Sequence, residues 1–342
     1  MWYTVNDKLA VNSLFYNFLP SWWNKNYGIK FGEKFIFDPD YRIEIIQFME
    51  RTVNERFPDL HIGSKNPEPN VVLPDFGNAI TPAAAGCEVV YPEDNYPWNK
   101  HLPEDAMSGL KLPHLAEVFP YNEIVSQVRY LNSKLGKDVS PCWNSRGVLN
   151  DAVLIRGPEF FTELSLESER ATKLLDYSYS ILTSVVKYNH NNFSNKNMVM
   201  LTNCTIMMIN PDMYRDIFLT YDRKIYELAY GFNQEFGIHH CGVFDKYIPE
   251  YRKIPKVNFI EIGWGSDIKS VLSLFPEAVI QYIFSAVFVS SASRNQIRNK
   301  TKEILEDARG NWHRFKLSVP DIDFGTPDEN LYEIYKCCKD AS

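Results

Sequence analysis

The chain has 342 residues, 45% hydrophobic and 23% charged, a balance typical of a globular protein that can bury a large core. Its net charge of −7 argues against nucleic acid as a partner, because contacts with phosphates need a basic surface. The N-terminus shows no targeting segment, and no apolar run approaches the roughly 18 residues of a membrane span. Six cysteines in so long a chain are not typical of a disulfide scaffold. We therefore expect a cytoplasmic protein without membrane contact.

The N-terminal segment, 1–70, is rich in aromatic side chains. Apolar residues at helical spacing predict a helix over residues 41–57. We expect this segment to be a helical N-terminal extension packed on the main domain, and a lid or docking surface for a flat cofactor is the alternative. Residues 71–120 are interrupted by prolines, and short strands are predicted there at 71–73 and 88–91.

From residue 120 onward, helical and strand patterns alternate with short links. The predicted helices cover 122–135, 149–155, 168–187, 211–230, 266–274, 295–308 and 328–339, and the predicted strands cover 139–143, 198–202, 236–241, 257–262, 279–283 and 315–317. Continuous apolar strands that alternate with helices indicate a parallel sheet covered on both faces. The repeat count predicts a single (β/α)8 barrel of the TIM type over residues 71–342. An open doubly wound sheet is the alternative, but no glycine-rich phosphate fingerprint follows a strand.

The strand predicted at 236–241 carries the chemistry that stands out. Side chains two apart in a strand share a face, so His239 and Cys241 are expected to point the same way and His240 the opposite way. An imidazole and a thiolate on one face form half of a zinc site. The alternative is a buried cysteine beside a histidine with a structural hydrogen bond. We assign His240 to packing or to a supporting role behind the site.

Four segments follow one another in an order that resembles a known family. These segments are 144–147 (Asn-Ser-Arg-Gly), 156–161 (Arg-Gly-Pro-Glu-Phe-Phe), 237–242 (Gly-Ile-His-His-Cys-Gly) and 321–331, which contains Thr-Pro-x-x-Asn. They resemble the uroporphyrinogen decarboxylase superfamily, whose barrels include the decarboxylase and the zinc-dependent methyltransferases of corrinoid (cobalamin) metabolism. The resemblance covers the C-terminal part of the chain. The His-x-Cys-Gly segment of this chain is similar to the segment at the end of a strand in the methyltransferases.

Two departures from the family pattern affect what the resemblance implies. The arginine-rich N-terminal segment with which the decarboxylase grips porphyrinogen carboxylates has no counterpart here, which argues against that substrate. The methyltransferases usually carry a second cysteine before Thr-Pro, and residues 318–323 contain none. A third metal ligand must then come from elsewhere. The candidates at strand ends are Glu261, Cys204, Asp321 and Asp323, and Glu261 is favoured because methionine synthase, a more distant relative, uses a glutamate in a similar place.

The resemblance implies a zinc-assisted methyltransferase that moves a methyl group between a small methylated substrate, or a thiol, and a corrinoid carried by a partner protein. Zinc can hold a thiol as thiolate or activate a leaving group. A carboxylate ligand makes zinc the stronger Lewis acid, so demethylation is favoured. The expected catalytic and metal-binding residues are His239, Cys241 and Glu261, with Cys204 or Asp321 as further ligands. The expected substrate-binding residues are Asn144, Arg146, Asn203 and Tyr221.

Two other function classes remain open at this stage. One is a decarboxylase of a carboxylated tetrapyrrole or another small acid, which needs a cluster of arginines facing the cavity. The other is a non-catalytic protein that binds a small molecule or a corrinoid protein. The oligomeric state is open as well, with a homodimer as one alternative.

Overall fold

A computed structural model describes residues 2–5, 14–69, 79–138, 145–166, 169–193 and 198–341. Its strands are β1 (Trp2–Thr4), β2 (Leu14–Phe18), β3 (Val89–Val90), β4 (Trp98–Asn99), β5 (Ser145–Arg146), β6 (Val199–Thr202), β7 (Phe236–His240), β8 (Phe259–Ile262), β9 (Val279–Ile283) and β10 (Phe315–Ile322). Eight of them form one sheet in the order β1-β2-β10-β9-β8-β7-β6-β5, and β3 and β4 form a separate antiparallel pair. From β2 to β5 every pairing is parallel, so seven strands run in one direction.

The helices lie between these strands, as the alternating pattern predicts. They are α1 (Pro20–Tyr27), α2 (Glu33–Phe37), α3 (Pro39–Arg56), α4 (Ile80–Ala84), α5 (Tyr121–Leu135), α6 (Val148–Arg156), α7 (Glu159–Ser165), α8 (Glu169–Asn192), α9 (Pro211–Met213), α10 (Leu219–Gly231), α11 (Ile248–Tyr251), α12 (Ile268–Leu274), α13 (Ala286–Ser291), α14 (Arg294–Asp307) and α15 (Asp328–Asp340). A π-helical turn, Tyr214–Phe218, joins α9 to α10. In the described part of the chain, no helix is long and apolar enough to cross a membrane.

The register of the parallel strands separates an apolar row from a polar row. Ile238, Ile260 and Ile280 lie opposite one another on β7, β8 and β9, and all three are fully buried. One residue further along, His239 lies opposite Glu261, which lies opposite Gln281. Because neighbouring residues of a strand face opposite sides of the sheet, this polar row occupies the face opposite the isoleucines.

The N-terminal segment differs in part from the predicted extension. The expected helix over 41–57 is present as α3, and α1 and α2 precede it. In addition, β2 enters the central sheet parallel to β10, with Leu14 opposite Leu317. The sequence analysis missed this strand because its partner lies at the opposite end of the chain. The boundary at residue 70 stays a prediction.

Two predicted strands, 71–73 and 139–143, lie outside the described residues. The final strand, predicted over 315–317, continues to Ile322 with a register irregularity between Val319 and Ile322. The polar residues Ser318 and Asp321 concealed this extension, because they interrupt the apolar pattern.

Candidate metal centre

Three side chains with metal-binding atoms converge where β6 and β7 end. They are Cys204, His239 and Cys241, and their ligand atoms all lie within 4.8 Å of one another. His239 and Cys241 are two residues apart in the same segment, so their side chains point to the same face. Thr202 lies opposite His239 in the parallel pair β6–β7, and the backbone nitrogen of Asn203 donates a hydrogen bond of 2.8 Å to the carbonyl of His239. The turn that begins at Cys204 therefore starts beside the end of β7.

The donor set fits a zinc ion. Tetrahedral zinc with sulfur and nitrogen ligands needs ligand atoms about 3.5–3.8 Å apart, and the three ligand atoms here lie within 4.8 Å of one another. Two thiols and one imidazole are ligands that zinc prefers, and three protein ligands leave one position open. Cys241 is exposed, and Cys204 and His239 are partly exposed, so a small molecule can approach the group.

Hydrogen bonds distribute protons among the three ligands. A hydrogen bond from Cys204 lowers the pKa of Cys241, and a second bond with His239 adds to this effect against the opposing influence of burial. The same hydrogen bond holds the proton on Cys204 and so raises the pKa of Cys204. Burial disfavours the charged form of His239, but hydrogen bonds with Cys241 and Glu261 outweigh it and raise its pKa to about 9. A cation that binds all three ligands therefore has to displace protons from Cys204 and His239.

Glu261 contacts the other side of the histidine ring. Its Oε2 atom pairs with Nδ1 of His239, and its Oε1 atom accepts a hydrogen bond of 2.6 Å from Nε2 of Gln281. This contact occupies Nδ1 and leaves Nε2 of the imidazole for a metal. Proteins commonly orient a metal-binding histidine in this way. Of the four expected ligands, the structure brings Cys204, His239 and Cys241 together, whereas Glu261 pairs with the imidazole of His239, its neighbour in the strand register. Which of them bind a metal stays a prediction.

The other proposed ligands lie at the edge of this group. Asp321 lies within the irregularity of β10 and has a φ of 56°, an unusual value for a residue other than glycine. Its pKa is raised by partial burial and by the nearby charge of Cys241. It is not part of the three-residue group found among the described residues. Asp323 accepts a hydrogen bond from Oγ of Ser21 and so fastens this loop to α1.

The four expected substrate-binding residues have different locations. Arg146 ends β5, and its charge favours the thiolate form of Cys204, so it lies near the site. Asn203 is buried and donates a hydrogen bond to Asp222, facing away from the open end. Tyr221 is on α10 and donates a hydrogen bond of 2.7 Å to Asp176 of α8, in the outer helical layer. Helical periodicity does not reveal which neighbour such a tyrosine faces. Asn144 lies outside the described residues.

His240 lies on the opposite face of β7, as the pleat requires. It is fully buried, its Nδ1 lies 3.3 Å from the hydroxyl of Tyr251, and its ring packs against Phe244 and Tyr247. Burial, followed by the charge of His239, lowers its pKa to about 4. His240 is therefore a neutral part of the core behind the site.

Exposed apolar side chains surround the open end. We call them the apolar rim: Met207, Met208, Val243, Val287 and Phe324. They follow the ends of β6, β7, β9 and β10, and Met208, Val287 and Phe324 are 72%, 76% and 60% exposed. Met207 lies across Gly242, where a Cβ atom would come within 1.7 Å of its sulfur. Any larger residue at position 242 would require the flexible end of the Met207 side chain to move away.

The sequence analysis missed two residues that hydrogen-bond to the surroundings of the site: Gln281, which contacts Glu261, and Asp222, which contacts Asn203. A signal for Gln281 was present, since a single amide interrupts the otherwise apolar strand β9. Asp222 gave no such signal. Acidic residues on helices are usually solvated, and this one is buried.

Comparisons with known proteins bear on the family and on the fold. The family model for uroporphyrinogen decarboxylase (URO-D) matches residues 71–341. The fold is similar to that of a methyltransferase from Methanosarcina mazei, with a TM-score of 0.60, 16% sequence identity, and coverage of 89% of this chain and 88% of that chain. A psychrophilic glycoside hydrolase family 10 endo-beta-1,4-xylanase matches with a TM-score of only 0.36, 8% identity, and coverage of 62% and 74%. No curated protein matches significantly. The matched family has a TIM-barrel fold, so the predicted fold class is confirmed.

Proposed function

This chain belongs to the uroporphyrinogen decarboxylase family, and we propose that within it the chain acts as a zinc-assisted methyltransferase. The observation that carries the proposal is the convergence of two thiols and an imidazole within 4.8 Å. They lie at the carboxyl ends of parallel strands, which is where barrel enzymes place their chemistry. The structural similarity to a methyltransferase supports the same reaction class.

Cys204, His239 and Cys241 would hold the metal, which when bound supplies a Lewis acid at an open coordination position. Glu261 and Gln281 keep the imidazole of His239 in place and fix which nitrogen faces the site. Arg146 contributes a positive charge beside Cys204 that suits a carboxylate on the substrate. The exposed position of Cys241 leaves room for a small substrate.

The ligand set also bears on the direction of transfer. Demethylation was favoured on the assumption of a carboxylate ligand. Two sulfur ligands donate more charge than one sulfur and one carboxylate, so they weaken the Lewis acid and favour a reactive thiol. We therefore propose a small thiol as the methyl acceptor. A carbon–sulfur bond forms as the bond between the methyl group and its donor breaks, the donor keeps the electron pair of that bond, and the thiol proton passes to solvent.

The proposed methyl donor is a corrinoid carried by a partner protein. The apolar rim supports this part, since exposed apolar patches of this kind mark interaction sites. A cofactor presented by a docked protein would reach Cys241 through the centre of the rim. We place the protein in the cytoplasm, because free thiols such as Cys204 and Cys241 persist in a reducing compartment.

Metal analysis tests the proposal. The purified protein is expected to contain about one zinc per chain, and Cys241→Ser is expected to lose it. Cys337→Ser is the matched control, since Cys337 is buried beside the backbone of α14. A parent protein that binds no zinc from buffered solution would contradict the proposal. Release of carbon dioxide from a carboxylated substrate by that metal-free protein would establish the decarboxylase alternative instead.

A further inference from the structure

A group of buried polar residues lies directly behind the candidate metal centre. Asp222, on α10, accepts two hydrogen bonds on the same oxygen, one of 2.8 Å from Nδ2 of Asn203 and one of 2.8 Å from the hydroxyl of Tyr214. Asn203, Tyr214 and Asp222 are all at most 2% exposed. A buried carboxylate is costly unless it is well hydrogen-bonded, so this arrangement needs a reason beyond stability.

Asn203 connects this group to Cys204. It immediately precedes Cys204, and its backbone nitrogen donates a hydrogen bond of 2.8 Å to the carbonyl of His239. On the other side, the backbone nitrogen of Thr205 donates to Oδ1 of Asn150 at 3.0 Å. The chain leaves the strand conformation at Asn203, with φ −105° and ψ 36°, and enters the short turn Cys204–Met208. Asn203 is therefore the residue at which the chain turns from β6 into the segment that carries Cys204.

The space around Asn203 allows one orientation of its side chain. Oδ1 of Asn203 lies over Gly147, where a Cβ atom would come within 1.8 Å of it. Nδ2 is held by Asp222. The amide is thus confined between the start of α6 and the carboxylate of α10.

We propose that Asp222 is a positioning residue for Cys204. By holding Asn203, it sets the turn after β6 so that the sulfur of Cys204 faces His239 and Cys241. The inference rests on the proposed function in so far as that sulfur is a metal ligand. Metal sites require ligand positions within a few tenths of an ångström, and partners behind the ligands typically change metal affinity 10- to 100-fold when they are removed.

The test compares two variants that act on the same carboxylate oxygen. Asp222→Leu keeps the branched outline of the side chain and removes the carboxylate acceptor of Asn203, whose Nδ2 then retains only the hydroxyl of Tyr251 at 3.5 Å. The control Tyr214→Phe removes only the hydrogen bond from the tyrosine. In competition with a chelator, zinc affinity is expected to fall about 10- to 100-fold in Asp222→Leu and to stay near the parent value in Tyr214→Phe. Thermal unfolding of both variants reports the loss of stability separately. If Asp222→Leu does not fold, Asp222→Asn replaces it, with a smaller shift in the same direction.

A second readout needs no metal. Oxidised glutathione converts the two thiols of Cys204 and Cys241 into a disulfide and is itself reduced to two molecules of glutathione, so the equilibrium reports how closely the sulfurs are held. We expect this equilibrium to shift towards the dithiol in Asp222→Leu and not in Tyr214→Phe.

The two readouts separate the two proposals. If the parent binds no zinc but the disulfide equilibrium shifts as expected, the metal function is wrong and the positioning role stands. If the parent binds zinc and neither zinc affinity nor the disulfide equilibrium changes in Asp222→Leu or Asp222→Asn, the positioning role is overturned and the metal function stands.

Discussion

Replacement of Cys204 by serine separates the ligand set seen in the structure from the one expected from the sequence. Serine keeps the size of the side chain but its hydroxyl does not ionise, so it cannot replace a thiolate ligand. Zinc in protein sites binds with about 10–16 kcal/mol, so one ligand out of three or four contributes roughly 3–4 kcal/mol, or about 100- to 1000-fold in affinity. We expect a loss of that size in Cys204→Ser.

Glu261→Gln is the matched comparison. Glutamine can still accept a hydrogen bond from His239, and Glu261 contacts the imidazole rather than the group of ligand atoms. Its substitution is therefore expected to lower zinc affinity by only about 10- to 100-fold. Chelator competition measures both variants.

X-ray absorption spectroscopy of the zinc-loaded protein counts the sulfur neighbours directly. We expect two sulfur neighbours in the parent and in Glu261→Gln, and one in Cys204→Ser. The reasoning is refuted if Cys204→Ser keeps parental affinity and sulfur count while Glu261→Gln loses zinc, since Glu261 would then be the third ligand.

Three further predictions concern the surroundings of the site and the outer helices. Gly147→Ala forces a Cβ atom to within 1.8 Å of Asn203 and is expected to destabilise the fold by about 1–3 kcal/mol, measured by denaturant unfolding. Glu333 is buried and its pKa is lowered to about 2, chiefly by a hydrogen bond from Arg298. Because Arg298 is 38% exposed, solvent screens this ion pair, and we expect Glu333→Gln to lower the stability of the fold by only about 1–2 kcal/mol above pH 4.5. That difference should vanish as the pH falls through about 2, and a difference that grows with acid would contradict the assignment. At the apolar rim, Val287→Lys is expected to weaken binding of a corrinoid partner protein in a pull-down titration, and unchanged binding would place the docking surface elsewhere.

Much of the fold follows from local patterns in the sequence. The helix over 41–57, the strand over 236–241 and the alternation after residue 120 were predicted because helices and strands each impose their own periodicity on the apolar residues. The strand β2 was not predicted, because so short a run does not identify a strand whose partner lies at the other end of the chain.

For the candidate site as well, some positions follow from local sequence patterns and others only from tertiary contacts. The common direction of His239 and Cys241 follows from the pleat of a single strand. The place of Glu261 beside His239 follows from the register between β7 and β8, and the sequence contains no direct record of that register. The outward position of Tyr221 and the buried position of Asp222 depend on how α10 packs against α8 and β6.

Local patterns were sufficient to predict the alternation of strands and helices, the segment with the candidate ligands, and the two ligand-type residues that share one face of the strand. The folded arrangement was needed to show that Cys204 joins them, that Glu261 supports the histidine, and that Asp222 lies behind the site. Local periodicity depends on the geometry of neighbouring residues. Strand register and helix packing, in contrast, depend on contacts between segments far apart in the chain, which are settled only when the whole core is packed.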